Sequence, residues 1–441
     1  MSSDAQPGSV PPGPEQSETG DSRSGHWSGR RTGRDPFLTG LIGLAVVLAV
    51  LVAFLGGVWA ERNLGESRGP VDADRLNEVA GLLDAEYYRG PTDDASRAAF
   101  DQQLEQGALV GLTGGAGDPY TSYLPPEDAA PLTEQLSGQY GGIGVTVEQR
   151  DAGLTIVQVL PGGPAEAAGI LPDDVLVSVD GVDLTGATTA DAGGLIRGDV
   201  GTTVSLVVSR PATPDRLTIP VQRRQLDAPV VVYALDQATG IARLSVSGFT
   251  GVTTRQLDQA LAQARTDGAR GIVLDLRGNG GGSVTAAQEM IGRFVPAQDG
   301  PALYETIGRA GDSTDVSSLP IIAPDGAVST LPLAVLVDGG TASAAEIVAA
   351  SLRDYGRATV IGSPSYGKGS VQRVHTFDDQ AILKVTIAEW LTPKGQRLDG
   401  VGVTLDVAVA PGPANDGSDD QLAAATAYLV SGGVSGMDFG W

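Results

Sequence analysis

The chain has 441 residues, 41% hydrophobic and 19% charged, which is enough to bury two or three domain cores and excludes a chain disordered throughout. Acidic residues outnumber basic ones 53 to 29, and the net charge of -24 repels phosphate backbones and argues against a nucleic-acid partner. Cysteine is absent, which excludes disulfides, thiol catalysis and cysteine metal sites.

Residues 1–36 are Ser, Gly, Pro and charge with almost nothing to bury, and they read as a disordered cytoplasmic arm. Residues 37–60 contain no charge. A helix of that length spans ~36 Å, enough to cross a hydrocarbon layer of ~30 Å with some tilt. Arg30, Arg31 and Arg34 precede it and Arg62 follows, which places the N-terminus in the cytoplasm and the remainder outside. Val58-Trp59-Ala60 would also pass as a signal-peptidase site, but the apolar run exceeds the usual signal core, so an uncleaved anchor is expected. In the N-terminal helical region, 71–125, residues 71–88 and 97–112 carry apolar residues at helical spacing and predict a helical pair. The run Gly117-Asp118-Pro119-Tyr120-Thr121-Ser122-Tyr123 ends it.

Short alternating strands are expected at 144–149, 154–159, 174–179 and 203–209, with short helices at 165–168 and 190–196. This is the pattern of a compact, partly open β-barrel-like domain, with bounds at 137–224. It opens on Gly142-Ile143-Gly144-Val145, where consecutive backbone amides could form a nest for a carboxylate. From 225 to 411 apolar runs alternate with helices: strands at 241–246, 271–276, 333–337 and 359–361, helices at 253–264, 284–294 and 344–355, then mostly strands from 371 to 409. Such alternation predicts a βαβ core whose sheet is covered on both faces. Residues 311–331 read as a polar, strand-poor insertion. The tail, 412–441, is linker-like and could close as a short helix at 421–430.

Ser343 follows the apolar run 333–337 and opens an Ala-rich helix, a strand-turn-helix setting in which the helix N-terminus favours the negative charge that develops on acyl transfer. Lys368 lies between two glycines in Tyr366-Gly367-Lys368-Gly369-Ser370-Val371-Gln372. Burial would be needed to bring its pKa well below ~10.4 so that it could serve as a base. Gln372, four residues on, would face the same side of a strand and could orient the amine. The Ala344 amide and one from the loop Asp275-Leu276-Arg277-Gly278-Asn279-Gly280-Gly281-Gly282, best Gly281, are the candidate oxyanion donors. The same residues admit plainer readings: Ser343-Ala344-Ala345-Glu346 is also a capping box, and a lone lysine is usually a solvated charge.

Residues 139–224 resemble a PDZ domain, with Gly142-Ile143-Gly144-Val145 in its carboxylate-binding loop and Gly163-Pro164-Ala165-Glu166-Ala167-Ala168-Gly169-Ile170 in its mid-domain turn. Residues 225–411 resemble the C-terminal processing peptidases, tail-specific serine proteases with a PDZ insert, through 117–123, 275–282, 341–347 and 367–372. The resemblance implies an α/β protease core of ββα type with a mixed sheet and an inserted PDZ domain. To these the N-terminal reading adds a helical segment and one transmembrane helix. It implies Ser343 as nucleophile, Lys368 as general base, Gln372 as the lysine-orienting partner, and the Gly281 and Ala344 amides as the oxyanion hole. Capture of a peptide C-terminus on Gly142, Ile143, Gly144 and Val145 also follows from it, with Arg197 as a residue coupling binding to an active arrangement; otherwise Arg197 is an exposed turn arginine. Gly278 and Gly280 stand where the family often has Asn and Pro, and Leu405 where proline is common before Asp406.

No cofactor or metal is called for: no histidine and carboxylate cluster is evident, and the glycine loop after 271–276 lacks the third glycine of a dinucleotide site. A His-based triad is nearly excluded, because His26 lies in the cytoplasmic arm and His375 is the other histidine. The expected partners are proteins or peptides with accessible C-terminal tails and the bilayer around residues 37–60, with room for self-association or a regulatory partner. The competing function is a non-catalytic, membrane-tethered PDZ scaffold that binds tails.

Overall fold

The computed structural model describes residues 71–211, 213–306, 316–324, 326, 328–412 and 418–432. The arm and the candidate membrane span at 37–60 lie outside them. Among the described residues no helix is long and apolar enough to cross a membrane.

The chain divides into two compact units, residues 1–90 and 91–441. In the first, α1 (Ala73–Glu86) starts where the Asp72 side chain accepts the Arg75 amide, and Leu76, Val79 and Leu82 on it are exposed. The second begins with α2 (Asp94–Gly114), β1 (Ser122–Leu124) and α3 (Pro126–Ser137). The two expected N-terminal helices are thus present, each in its own unit.

The PDZ-like part follows. A ribbon of β2 (Gln139–Gly142) and β9 (Arg224–Asp227) brings the chain in and out of it. Between them lie β3 (Val145–Arg150), β4 (Gly153–Val159), α4 (Pro164–Ala167), β5 (Val175–Val179), β6 (Val182–Asp183), α5 (Thr189–Ile196), β7 (Thr203–Ser209) and β8 (Leu217–Gln222). The sheet order is β3-β4-β5-β7-β8, so β3 is an edge strand. The inward positions Leu154, Ile156, Leu176, Val179, Val204, Leu206 and Val208 bury a core of their own with Ile143, Ala192 and Ile196.

The protease core is a six-stranded sheet of order β10-β11-β12-β15-β16-β19. Its strands are β10 (Val231–Asp236), β11 (Ile241–Val246), β12 (Gly271–Asp275), β15 (Leu333–Val337), β16 (Thr359–Gly362) and β19 (Val407–Ala408). All pairings are parallel except that of the edge strand β10 with β11. Period-two alternation divides each central strand between two buried faces. Ile272, Leu274, Val335 and Val337 pack with helices α6 (Thr253–Thr266), α7 (Val284–Gly292) and α8 (Ala344–Asp354), whereas Val273, Ala334 and Leu336 pack with α9 (Asp420–Val430). The short tail helix therefore seals the second face.

A second sheet joins β1, β13 (Pro301–Thr306), β14 (Val316–Pro320) and β17 (Ser370–Thr376) to the long β18 (Ile382–Leu391). The expected strand-poor insertion is corrected here, because Val316–Pro320 pairs with Pro301–Thr306 in that sheet. Its side chains alternate between half-buried and exposed rather than forming an apolar run, which left no strong signal.

Candidate active site

Strand β15 delivers a fully buried run to Asp338, and a tight turn then opens α8 at Ser343. Ser343 has φ +55° and ψ −119°, a region that a β-carbon disfavours and that costs roughly 1–3 kcal/mol. Hydrogen bonds on both sides hold it there. The Ala342 amide donates to the Asn279 carbonyl at 2.9 Å, the Tyr366 amide to the Thr341 carbonyl at 2.9 Å, and the Ser343 amide to Glu346 Oε2 at 2.9 Å. Ser343 and Glu346 do form a capping box, as the sequence also allowed. The glutamate does more than cap.

Glu346 is completely buried, and its carboxylate receives four donors. Oε2 accepts the amides of Ser343 and Lys368, both at 2.9 Å. Oε1 accepts the Ser365 hydroxyl and the Gly367 amide, both at 2.7 Å. One carboxylate thus fixes the serine turn and the lysine loop in a single frame. The Lys368 carbonyl accepts from Trp390 Nε1 at 3.0 Å, so its backbone is clamped at both ends. The flanking glycines matter, since a β-carbon at Gly369 would lie 2.6 Å from Asp399 Cβ and one at Gly367 3.0 Å from the Gly402 amide nitrogen.

The Lys368 side chain is half-buried, with Nζ 4.6 Å from the centroid of the Tyr120 ring. Among the described residues it makes no hydrogen bond or ion pair. Burial, and after it the nearby Lys384 charge, hold its pKa below that of an ordinary lysine, with Asp118 opposing. Gln372 does not orient it here: its Nε2 donates to Ser370 Oγ at 2.9 Å and Thr386 Oγ1 at 3.2 Å. Strand alternation fails as an argument because Lys368 precedes β17 and the register shifts between Val371 and Gln372.

Gly281 lies directly against the serine turn. A β-carbon there would stand 2.8 Å from both Ser343 Cβ and the Ala342 oxygen, and its φ of +99° also calls for glycine. Its amide donates to Asn279 Oδ1 at 2.9 Å. As the first residue of α8, Ala344 has its amide outside the helix's own ladder. Asp338 Oδ1 accepts the amides of Gly278 at 2.8 Å and Gly340 at 2.9 Å, tying the glycine loop to the turn. Below it, Arg277 pairs with buried Asp275 at 2.8 Å and with Asp419 at 2.7 Å.

In the PDZ-like part, Gly142 and Ile143 are buried, Gly144 has φ +79°, and Val145 starts the edge strand β3 beside α5. Arg197 follows α5 and stands over the Tyr140 ring at 4.8 Å. A cleft of about 380 Å³ runs from Arg197 and Tyr140 past Thr250 and Phe249 to Gly281. His375 is exposed on β17. Glu346, Asp338, Asn279 and Tyr120 were not singled out from the sequence. For Glu346 the capping-box spacing was itself the signal, and for Tyr120 its place in 117–123.

These folds and this serine turn define a peptidase core carrying a PDZ domain, and comparison with known proteins agrees. Residues 240–409 match peptidase family S41 and residues 155–210 match a PDZ domain. The chain is 33% identical over 368 residues to the carboxy-terminal processing protease CtpA of Bacillus subtilis, covering 81% of this chain and 74% of that one. It is 30% identical over 377 residues to a probable CtpA-like serine protease of Staphylococcus haemolyticus, covering 85% and 72%. Among solved structures, the photosystem II D1 C-terminal processing protease is similar at 25% identity and a TM-score of 0.42, covering 82% of this chain and 99% of that one. The chain belongs to peptidase family S41, among its C-terminal processing serine proteases. It is therefore a peptidase acting on proteins or peptides, which sets the scaffold reading aside.

Proposed function

We propose that Ser343 is the nucleophile and Lys368 the general base of a peptidase that captures C-terminal tails on its PDZ domain. Ser343 Oγ attacks the scissile carbonyl while neutral Lys368 Nζ takes its proton, then returns it to the leaving amine. Water hydrolyses the acyl-enzyme by the same route. The Ala344 amide receives the developing oxyanion, joined by Gly281 once its amide turns from Asn279. The observation that carries this reading is the buried Glu346 carboxylate, one oxygen of which holds the amides of both Ser343 and Lys368.

The tail's carboxylate meets the nest at Gly142, Ile143, Gly144 and Val145, and its backbone extends the sheet along the edge strand β3. The cleft from Arg197 to Gly281 supports a path from the bound tail to the serine and a coupling role for Arg197. Residues 37–60 anchor the chain in the membrane with the peptidase on the extracytoplasmic side. Gln372 acts on the lysine after a change of its hydrogen bonds.

The test is cleavage of an unstructured peptide with a free C-terminus by the full-length chain, Ser343→Ala and Lys368→Ala. Equal turnover by all three sinks the mechanism. Amidating the peptide's C-terminus tests the tail-capture step, and unchanged cleavage after amidation would refute it.

A further inference from the structure

The segment Asp118–Thr121 has no part in the chemistry above, yet it supplies a ring against which the lysine ammonium rests. Asp118 accepts the Tyr120 amide at 3.1 Å and the Thr121 hydroxyl at 2.6 Å. Thr121 Oγ1 in turn accepts the Thr386 amide at 3.1 Å, and β1 continues along β18 with Ser122 opposite Lys384. A turn fixed to β18 therefore sets the Tyr120 ring over Lys368 Nζ. The neighbouring Tyr366, two residues before the lysine, helps raise the Tyr120 pKa, which sets the ring beside the lysine loop.

We propose that Tyr120 is a positioning residue that parks the Lys368 ammonium on its ring face, off Ser343, and that release from this ring is a step in switching the peptidase on. The inference rests on the Ser343–Lys368 reading given above. A ring face attracts an ammonium and not a neutral amine, so parking selects the form that cannot act as a base. Other charged groups around the lysine do not substitute for the ring. Lys384 on β18 repels it, and Asp118 attracts it only at a distance, its oxygens being bonded to the Tyr120 amide and the Thr121 hydroxyl. Glu346 and Asp399 direct theirs to backbone amides of the lysine's own loop. The lysine's flexible stem allows the ammonium to swing while the clamped backbone stays in place.

The experiment follows the pH dependence of Ser343 labelling by a fluorophosphonate, and of kcat/KM on a peptide, in the full-length chain. Removing the ring face in Tyr120→Leu destabilises the ammonium, so the acid limb moves to lower pH by roughly half to one unit and labelling on that limb rises roughly three- to tenfold. Tyr120→Phe keeps the ring and leaves the limb in place, although the hydroxyl is gone. Tyr120→Trp, with the stronger ring face, moves it up, and this pair decides the matter if Tyr120→Leu fails to fold. An unmoved limb in Tyr120→Leu and Tyr120→Trp overturns the proposal, as does an equal shift in Tyr120→Leu and Tyr120→Phe, or lost activity with no shift. Lys368→Met separates the two levels. If it labels as fast as wild type, the base assignment itself is wrong and the parking role falls with it. If it abolishes labelling while the limb ignores the ring, only the role of Tyr120 is wrong.

Discussion

Exchanging Glu346 for glutamine alters one oxygen and tests whether the frame around Ser343 and Lys368 is set by a carboxylate. Four donors converge on its two oxygens: the amides of Ser343 and Lys368 on one, the Ser365 hydroxyl and the Gly367 amide on the other. A glutamine has one acceptor oxygen, so two donors would face its NH2 group whichever way it turned. Turned one way this leaves the Ser343 and Lys368 amides unsatisfied, and turned the other the Gly367 amide alone, since the Ser365 hydroxyl can rotate to accept. At about 1–3 kcal/mol for each donor the cost is about 1–6 kcal/mol. The serine turn already carries the strain of φ +55°, so the least costly response is for that turn and the lysine loop to separate. Loss of about 3 kcal/mol of transition-state stabilisation lowers kcat roughly 100-fold. KM for a tail peptide should hold, because the PDZ groove shares no contact with Glu346. Steady-state kinetics with fluorophosphonate labelling and denaturant unfolding of both proteins measure these terms. A Glu346→Gln enzyme with kcat within threefold of wild type and unchanged stability would refute the reasoning.

Relief of strain gives a second expectation: Ser343→Gly, inactive like Ser343→Ala, should be more stable than Ser343→Ala by about 1–2 kcal/mol in denaturant, because only glycine is at ease at that φ. Lys368 gives a pH-dependent one. Its folded pKa is depressed by burial, so the unfolded chain holds the proton more tightly, and this residue's contribution to stability rises with pH through the folded pKa. Lys368→Met should therefore stabilise most at neutral and lower pH, with the gain shrinking towards pH 10.5, as urea midpoints across pH would record. Arg277→Gln leaves the buried Asp275 carboxylate with Arg243 alone and frees Asp419, which should cost about 3 kcal/mol in denaturant unfolding. Asp419 has its pKa lowered first by its bond to Arg277, so that part of the stability is present above pH 3.8 and is lost as pH falls through the folded pKa. The difference between wild type and Arg277→Gln should narrow in acid.

Most elements were legible because their patterns are local. The strand at 333–337 is a continuous apolar run, and that at 241–246 carries apolar residues at every second position from Ala242. The PDZ-like strands and helices that were expected lie within a residue or two of their places, those at 182–183 and 217–222 not having been expected. Val316–Pro320 was missed because its stability comes from pairing with Pro301–Thr306, a contact that its own residues do not announce. The position expected for Gln372 failed for a related reason, since a bulge in β17 changed the phase of alternation.

From the sequence by itself came the residue types able to do the chemistry. The absence of cysteine and the scarcity of histidine left serine and lysine, the lysine between the two glycines that close packing requires. The capping-box spacing of Ser343 and Glu346 was equally plain, but as a local feature it pointed to a helix end. Only the tertiary structure made that glutamate the link to the lysine loop, because the bond from Lys368 spans 22 residues and forms only when β16 returns the chain beside α8. It also decided that Gly281 donates to Asn279 and that Lys368 rests on Tyr120. The physical reason is that hydrogen bonds and ring contacts between distant segments depend on where the sheet places them, not on the residues adjoining each in sequence.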